Sequence, residues 1–211
     1  MAKNLTSEPS LGLHERALLA GLDLLDARQA QVPALVEVAT ELNIPICDLG
    51  RLFPNEEALY CAAAENALLH LMDICTRSVV QVDPQDPFAQ FHSLGEAYLK
   101  WAHEHPRQFR LLSERRVIDI LTQPQLRRYV DALHELMTRM LMRARDDGQL
   151  HPREDIQALA ITARSFAFGL ARLIVDRRME EWYPGADPLE AARHALSDFI
   201  RRMARSTTPP S

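Results

Sequence analysis

The 211-residue sequence predicts an all-α protein of about nine helices, and two observations carry the prediction. Thirteen prolines, against only seven glycines, break the chain at Pro33, Pro45, Pro54, Pro84/Pro87, Pro106, Pro124, Pro152 and Pro184/Pro188. Proline lacks the helical N–H donor and clashes with the preceding turn, so it marks helix starts and connections. Between the breaks apolar residues recur at helical periods, and no alternating strand pattern competes with them.

The first segment, 13–27, sets Leu18, Leu22 and Leu25 on one stripe with the small Ala17 and Gly21. Two short segments follow at 34–42 and 46–53. Segment 55–81 spaces Leu59, Ala63, Ala67, Leu71, Ile74 and Val79 by three to five residues. Segment 88–104 carries Phe88, Phe91, Leu94, Tyr98, Trp101 and Ala102, with Asp83 and Asp86 placed to cap it. Segment 125–146 repeats Leu126, Val130, Leu133, Met137, Met140 and Leu141 and ends at Asp146-Asp147-Gly148. Helices over 153–182 and 188–204 complete the chain, and residues 206–211 are expected to be a disordered tail.

Composition excludes several classes. With 47% hydrophobic and 25% charged residues the chain builds an ordinary core without metal or disulfide staples. Apolar runs are expected to fall short of the ~20 residues that cross a membrane, and the N-terminus lacks an apolar signal core. Three cysteines, Cys47, Cys61 and Cys75, without a CxxC, point to reduced thiols and a cytoplasmic location. The charge is uneven. Residues 1–60 hold four basic and nine acidic residues, so the whole net charge of −5 lies there, and the remainder is balanced.

Two short helices joined at Leu42-Asn43-Ile44, after a longer first one, have the shape of a helix-turn-helix whose second member enters the major groove. The run from Arg16 to Leu59 resembles the DNA-binding domain of TetR-family regulators. Its matching positions are Arg16, Leu19, Ala20, Leu24, Val38-Ala39, Ile44, Leu49, Phe53, Glu57 and Leu59, and AYLKWAHEHPRQFRLL at 97–112 resembles the family's linking helices. The resemblance implies a DNA-binding domain over 1–54 and a helical ligand-binding and dimerisation domain over 55–205. It also implies a homodimer in which ligand binding alters the spacing of two heads.

The departures from that pattern lie where the family meets DNA. Asn43 replaces the turn glycine and tolerates the left-handed conformation. Pro45 stands where the recognition helix has a capping serine, and Pro33 where the second helix is preceded by a threonine. Gly50 takes the place of a phosphate-holding tyrosine, and Glu56 that of a phosphate-contacting lysine. The candidate DNA-binding residues are Ile46, Cys47, Asp48 and Arg51, of which Arg51 alone is a plausible phosphate contact. Non-specific affinity comes from neutralised phosphates, so this head starts at a disadvantage.

No catalytic constellation is legible: GxGxxG, P-loop, GxSxG and HExxH are all absent. His103 and His105 stand two apart on a helix and share no face, so no metal site is expected, and no cofactor. Cys61 and Cys75 are fourteen residues apart on one helix and cannot pair. Methionine and aromatic side chains at Met72, Phe91, Tyr98, Trp101, Phe109, Met137 and Phe166 read as core, or as a cavity for a small apolar or amphipathic ligand. The dimer face is expected at Ala163, Phe166, Leu170, Ile174, Leu196 and Ile200, where small residues allow helices to approach. Two readings follow, both without a membrane partner. One is a ligand-responsive repressor that binds an operator; the other is the same fold with DNA binding lost, serving as a small-molecule or lipid carrier or a protein-interaction module.

Overall fold

A computed structural model describes residues 11–28 and 31–205. Residues 206–211, expected to be a tail, lie outside the described residues. Ten α-helices and no strand are present among those described: α1 (Leu13–Arg28), α2 (Leu35–Glu41), α3 (Ile46–Leu52), α4 (Glu56–Val80), α5 (Pro87–Glu104), α6 (Pro106–Ser113), α7 (Pro124–Asp146), α8 (Ile156–Val175), α9 (Met179–Trp182) and α10 (Pro188–Arg205). A 3-10 turn, Ile120–Thr122, lies between α6 and α7.

The helix starts follow from local chemistry. Proline occupies the first turn of α5, α6 and α7 and opens α10. Carboxylate or amide oxygens take up the free backbone donors elsewhere. Asn55 accepts from Ala58 N, Asp86 from Ala89 N, Asp155 from Gln157 N and Ala158 N, and Asp187 from Glu190 N. The turn between α2 and α3 is closed by Asn43 at φ 53°, with Ile44 N donating to Ala39 O, and Gly148 at φ 76° closes α7.

The expected single helix over 153–182 is two. Arg177 takes φ 57°, and Arg177 N and Arg178 N donate to Ile174 O and Leu173 O, a left-handed terminus of the kind glycine usually makes. The chain therefore turns before α9. A second correction concerns apolar runs. α8 is 20 residues long with only Arg164 and Arg172 charged, long and apolar enough to cross a membrane by length and composition. Its inward stripe, Ile156, Ala160, Ala163, Leu170, Ala171, Ile174 and Val175, is buried against the rest of the fold, and its other face is left open.

Two apolar cores are built. The smaller joins α1, α2 and α3 to the first half of α4, and adds Leu111, Ile118, Ile120 and Leu126 from beyond it. The larger lies among the second half of α4, α5, α7, α8 and α10. Helix α4 thus belongs to both. α5 is its central rod, and Gly95 lets α10 close onto it: a Cβ there would stand 3.0 Å from Leu196 Cδ2.

Candidate functional site

The larger core is not filled. A cavity of about 380 Å³, in the range of small-molecule sites, opens between α4, α5, α6, α7, α8 and α10. Leu68, Leu71, Phe91, Leu133, Met137 and Phe199 give it an apolar wall. Trp101, Tyr98 and Phe109 form an aromatic corner, with ring centroids 6.2–6.4 Å apart. Trp101 is 1% exposed, and its Nε1–H has no acceptor among the described residues. Burial raises the Tyr98 hydroxyl well above the usual tyrosine range, with Arg164 pulling the other way, so the phenol stays protonated. Burial likewise pushes the Cys75 thiol, on the same wall, up to about 12.

Helix α6 ties this cavity to the N-terminal helices. Phe109, Leu112 and Ser113 face the cavity. From the same helix Arg107 pairs with Asp23, and Arg110 with Asp26 of α1, while Arg110 Nη2 donates to Val175 O of α8 at 2.9 Å. Arg172 of α8 completes the junction, 2.7 Å from Asp176 and 3.9 Å from Glu114. Two acids of the N-terminal excess are therefore neutralised within the molecule. At the start of α6, His105 lies 4.4 Å from His70 between ring centroids. Burial and that neighbour lower its pKa.

The N-terminal helices present α3 outward. Ile46, Cys47, Gly50 and Arg51 are exposed, Asp48 is half-buried, and Leu49 and Phe53 are buried beneath them. Arg51 Nη1 is 3.3 Å from Asp48 Oδ1 on its own helix. Glu56 Oε1 accepts from Leu35 N at 3.0 Å and Glu37 Oε2 from Ala34 N at 2.8 Å, so the first donors of α2 are satisfied by two carboxylates. Those bonds hold both carboxyls below the usual glutamate range, with Arg28 assisting at Glu37. Arg16 is the one arginine here without a carboxylate partner among the described residues. Val36, Ile46 and Leu52 leave apolar surface exposed.

Residues 91–199 match the family model of the tetracyclin repressor-like C-terminal domain. The chain belongs to the TetR family. No curated protein matches the sequence. Among solved structures, a Rhodococcus sp. RHA1 protein of unknown function superposes with a TM-score of 0.74 at 22% identity, covering 96% of this chain and 100% of its own. The TetR-family regulator PfmR of Thermus thermophilus gives 0.70 at 18%, covering 88% and 97%. The ketosteroid transcriptional regulator KstR2 of Mycobacterium tuberculosis gives 0.70 at 14%, covering 96% and 98%. These establish a shared fold, that of TetR-family transcriptional regulators.

In this TetR fold the residues singled out from sequence separate. Phe91, Tyr98, Trp101, Phe109 and Met137 line the cavity. Met72 does not, because it sits one helical step beyond Leu71 on α4 and turns away from it. Phe166 does not either, being stacked on Phe199 at 4.6 Å. The stripe expected to meet a second subunit faces its own core: Ala163, Leu170, Ile174, Leu196 and Ile200 are buried, and Phe166 packs against them. An apolar stripe marks a buried face without naming what covers it. The outward face of α8 is Ile161, Thr162, Arg164, Ser165, Phe168 and Gly169, with Ile161 65% and Phe168 45% exposed; Arg164 and Phe168 also reach the cavity wall, Phe168 at 5.6 Å from Phe109 between ring centroids.

Sequence reasoning missed Arg115 and Arg164 on the cavity wall, and the α6 arginines beneath it. Arg164 had a signal, as one of two charges in a 20-residue apolar helix. Among the described residues no group of three His, Cys, Asp or Glu is placed to hold a metal.

Proposed function

We propose that this TetR-family chain is a homodimeric, ligand-responsive DNA-binding regulator of transcription, acting as a repressor in the cytoplasm and without catalytic chemistry of its own. Residues up to about 54 form the DNA-meeting head, and 55–205 the ligand and dimer region, with α4 shared. The observation that carries the reading is α6. One side of it lines the cavity, and the other holds α1 through Arg107–Asp23 and Arg110–Asp26. A ligand that fits one position of α6 better than another biases the attitude of the head by that difference in affinity. The mate is taken on by the outward face of α8, around Ile161 and Phe168. Ile46, Cys47, Asp48 and Arg51 face the groove in this reading. A neighbour named for ketosteroid regulation accords with an apolar ligand.

A second reading has its own observation in favour. Arg51 is engaged by Asp48, Glu56 is committed to α2, and Gly50 offers no side chain, so phosphate-holding groups are scarce on a surface that is partly apolar. A ligand or partner module that has given up DNA fits those facts. Fluorescence anisotropy with the gene's own upstream duplex and a scrambled duplex, from low to physiological salt, separates the two. The regulator predicts preference for the upstream duplex with a shallow salt slope, since each neutralised phosphate adds about 0.9 to that slope. No binding of either duplex at low salt overturns it in favour of the module.

A further inference from the structure

The polar groups of the cavity wall are one-sided. Trp101 Nε1 can only donate, is enclosed and has no acceptor among the described residues. Tyr98, one turn earlier on the same face of α5, has a hydroxyl with no hydrogen bond among the described residues. Arg164 lies close enough for its charge to act on Tyr98, and its one polar contact among the described residues is His134 Nδ1 at 3.4 Å, not a carboxylate. The single acid on the wall, Asp119, already accepts from Leu121 N. Ser113 is engaged with Arg110 O and Arg172. Apart from Arg115 and the Cys75 thiol, the other lining side chains are hydrocarbon or aromatic.

We infer that the cavity takes an amphipathic monocarboxylic acid, its carboxylate received by Arg164, the Tyr98 hydroxyl and the Trp101 N–H, and its hydrocarbon body laid against Leu68, Leu71, Phe91 and Met137. This rests on the ligand-responsive reading above and names its ligand class. A carboxylate is acceptor-only and offers about four lone-pair sites, which suits three donors without a competing acid. An amine would have Asp119 alone as counter-charge, with one oxygen already taken by Leu121 N, against two arginines on the same wall, and a plain hydrocarbon leaves Trp101 N–H unpaired. Arg115, the other arginine of the wall, also lines the outer cleft between α1, α6 and α8, where Asp26, Glu114 and Asp176 supply negative charge. Its surroundings are thus more acidic than those of Arg164, which makes Arg164 the better partner for a carboxylate.

Trp101 reports the test directly. In a Trp182→Phe background it is the sole tryptophan, and its fluorescence is followed during titration with dodecanoate, dodecan-1-ol and dodecyltrimethylammonium, each below micelle formation. The acid should bind about tenfold more tightly than the alcohol, as expected when hydrogen bonds become charge-assisted, and the ammonium should not bind. Arg164→Gln and Tyr98→Phe should each bring dodecanoate towards the alcohol's affinity, weakening the acid more than the alcohol. Arg115→Gln should leave dodecanoate within about threefold. An alcohol that binds as tightly as the acid, or a preferred ammonium, overturns the carboxylate and leaves the cavity standing as a ligand site. Failure of all three probes overturns the ligand site and the inference with it.

Discussion

The head and the ligand region are both TetR-like in their packing, yet their polar groups have met opposite fates. In the head Val38, Ala39, Leu49 and Phe53 are buried beneath a turn that Asn43 closes as a glycine would. Above that intact core the charged groups are turned inward on the chain: Arg51 to Asp48, Arg28 to Glu37, Glu56 to the α2 backbone. In the ligand region the core is left open, and donors stand without partners at Trp101 and Tyr98 among the described residues. Arg16 apart, the arginines of the described head are engaged within the chain, whereas two donors of the cavity wall are not. A fold can therefore be kept wherever its apolar stripe dictates it while the groups that meet ligand or DNA change independently, because they contribute little to the packing.

The sharpest way to break this comparison is to remove the second subunit. Ile161→Glu with Gly169→Glu places charge on the outward face of α8, away from the cavity lining, and sedimentation should show a monomer that no longer binds the upstream duplex but still binds an apolar probe. Persistence of the dimer would move the interface elsewhere. Next in size is Gly95→Val. The added carbons meet Leu196 where α10 closes onto α5, and overpacking of this kind costs about 1–3 kcal/mol, read as a lower denaturation midpoint. Gly50→Ala runs the other way. Nothing lies within 4 Å of a Cβ there, so the helix should gain about 0.5–1 kcal/mol, with the ligand region unaffected.

Gly50→Tyr with Glu56→Lys sharpens the contrast. It restores the family's side chains at both positions and should steepen the salt slope for DNA by about 0.9 for each phosphate regained. It also removes the acceptor of Leu35 N, so a control with Glu56→Gln, which keeps an acceptor, separates the charge from the cap. The smallest effect is on pH. His105 is held below the usual histidine range when folded, so the stability it confers is complete above pH 6.5 and falls as pH drops through its folded value. Thermal midpoints between pH 7.5 and 5.5 should decline, and His105→Gln should flatten that decline. Glu37 and Glu56, also lowered, add a loss only below the ordinary carboxylate value of 4.5, as pH falls through their folded values.

The fold was legible in the sequence where neighbours along the chain decide the structure. Prolines and caps located most helices, and Leu49, Phe53 and Leu59 located the helix-turn-helix, because each signal is local. The break at Arg177 was not legible, since the left-handed position is filled by arginine where glycine would have announced it. The outward face of α8 was hidden for another reason: Ala163 and Leu170 look as apolar as Ile161 and Phe168, and only the tertiary arrangement shows which set the chain covers itself. Five cavity residues are legible as large side chains at helical spacing, whereas Arg164, exposed yet on the cavity wall, shows in the sequence only as one of two charges in an apolar helix.

The brevity of α6 sets a scale for the proposed signal. Eight residues span about 12 Å, so a tilt of about 10° moves one end by about 2 Å, no more than a side chain yields when a cavity fills. The paired arginines pass the same rotation to α1, whose 16 residues span about 24 Å and carry its far end by about 4 Å. Leverage of this kind needs no rearrangement of either core. In a two-fold pair both arms swing, and two half-sites one helical turn apart, about 34–36 Å, would see the displacement twice.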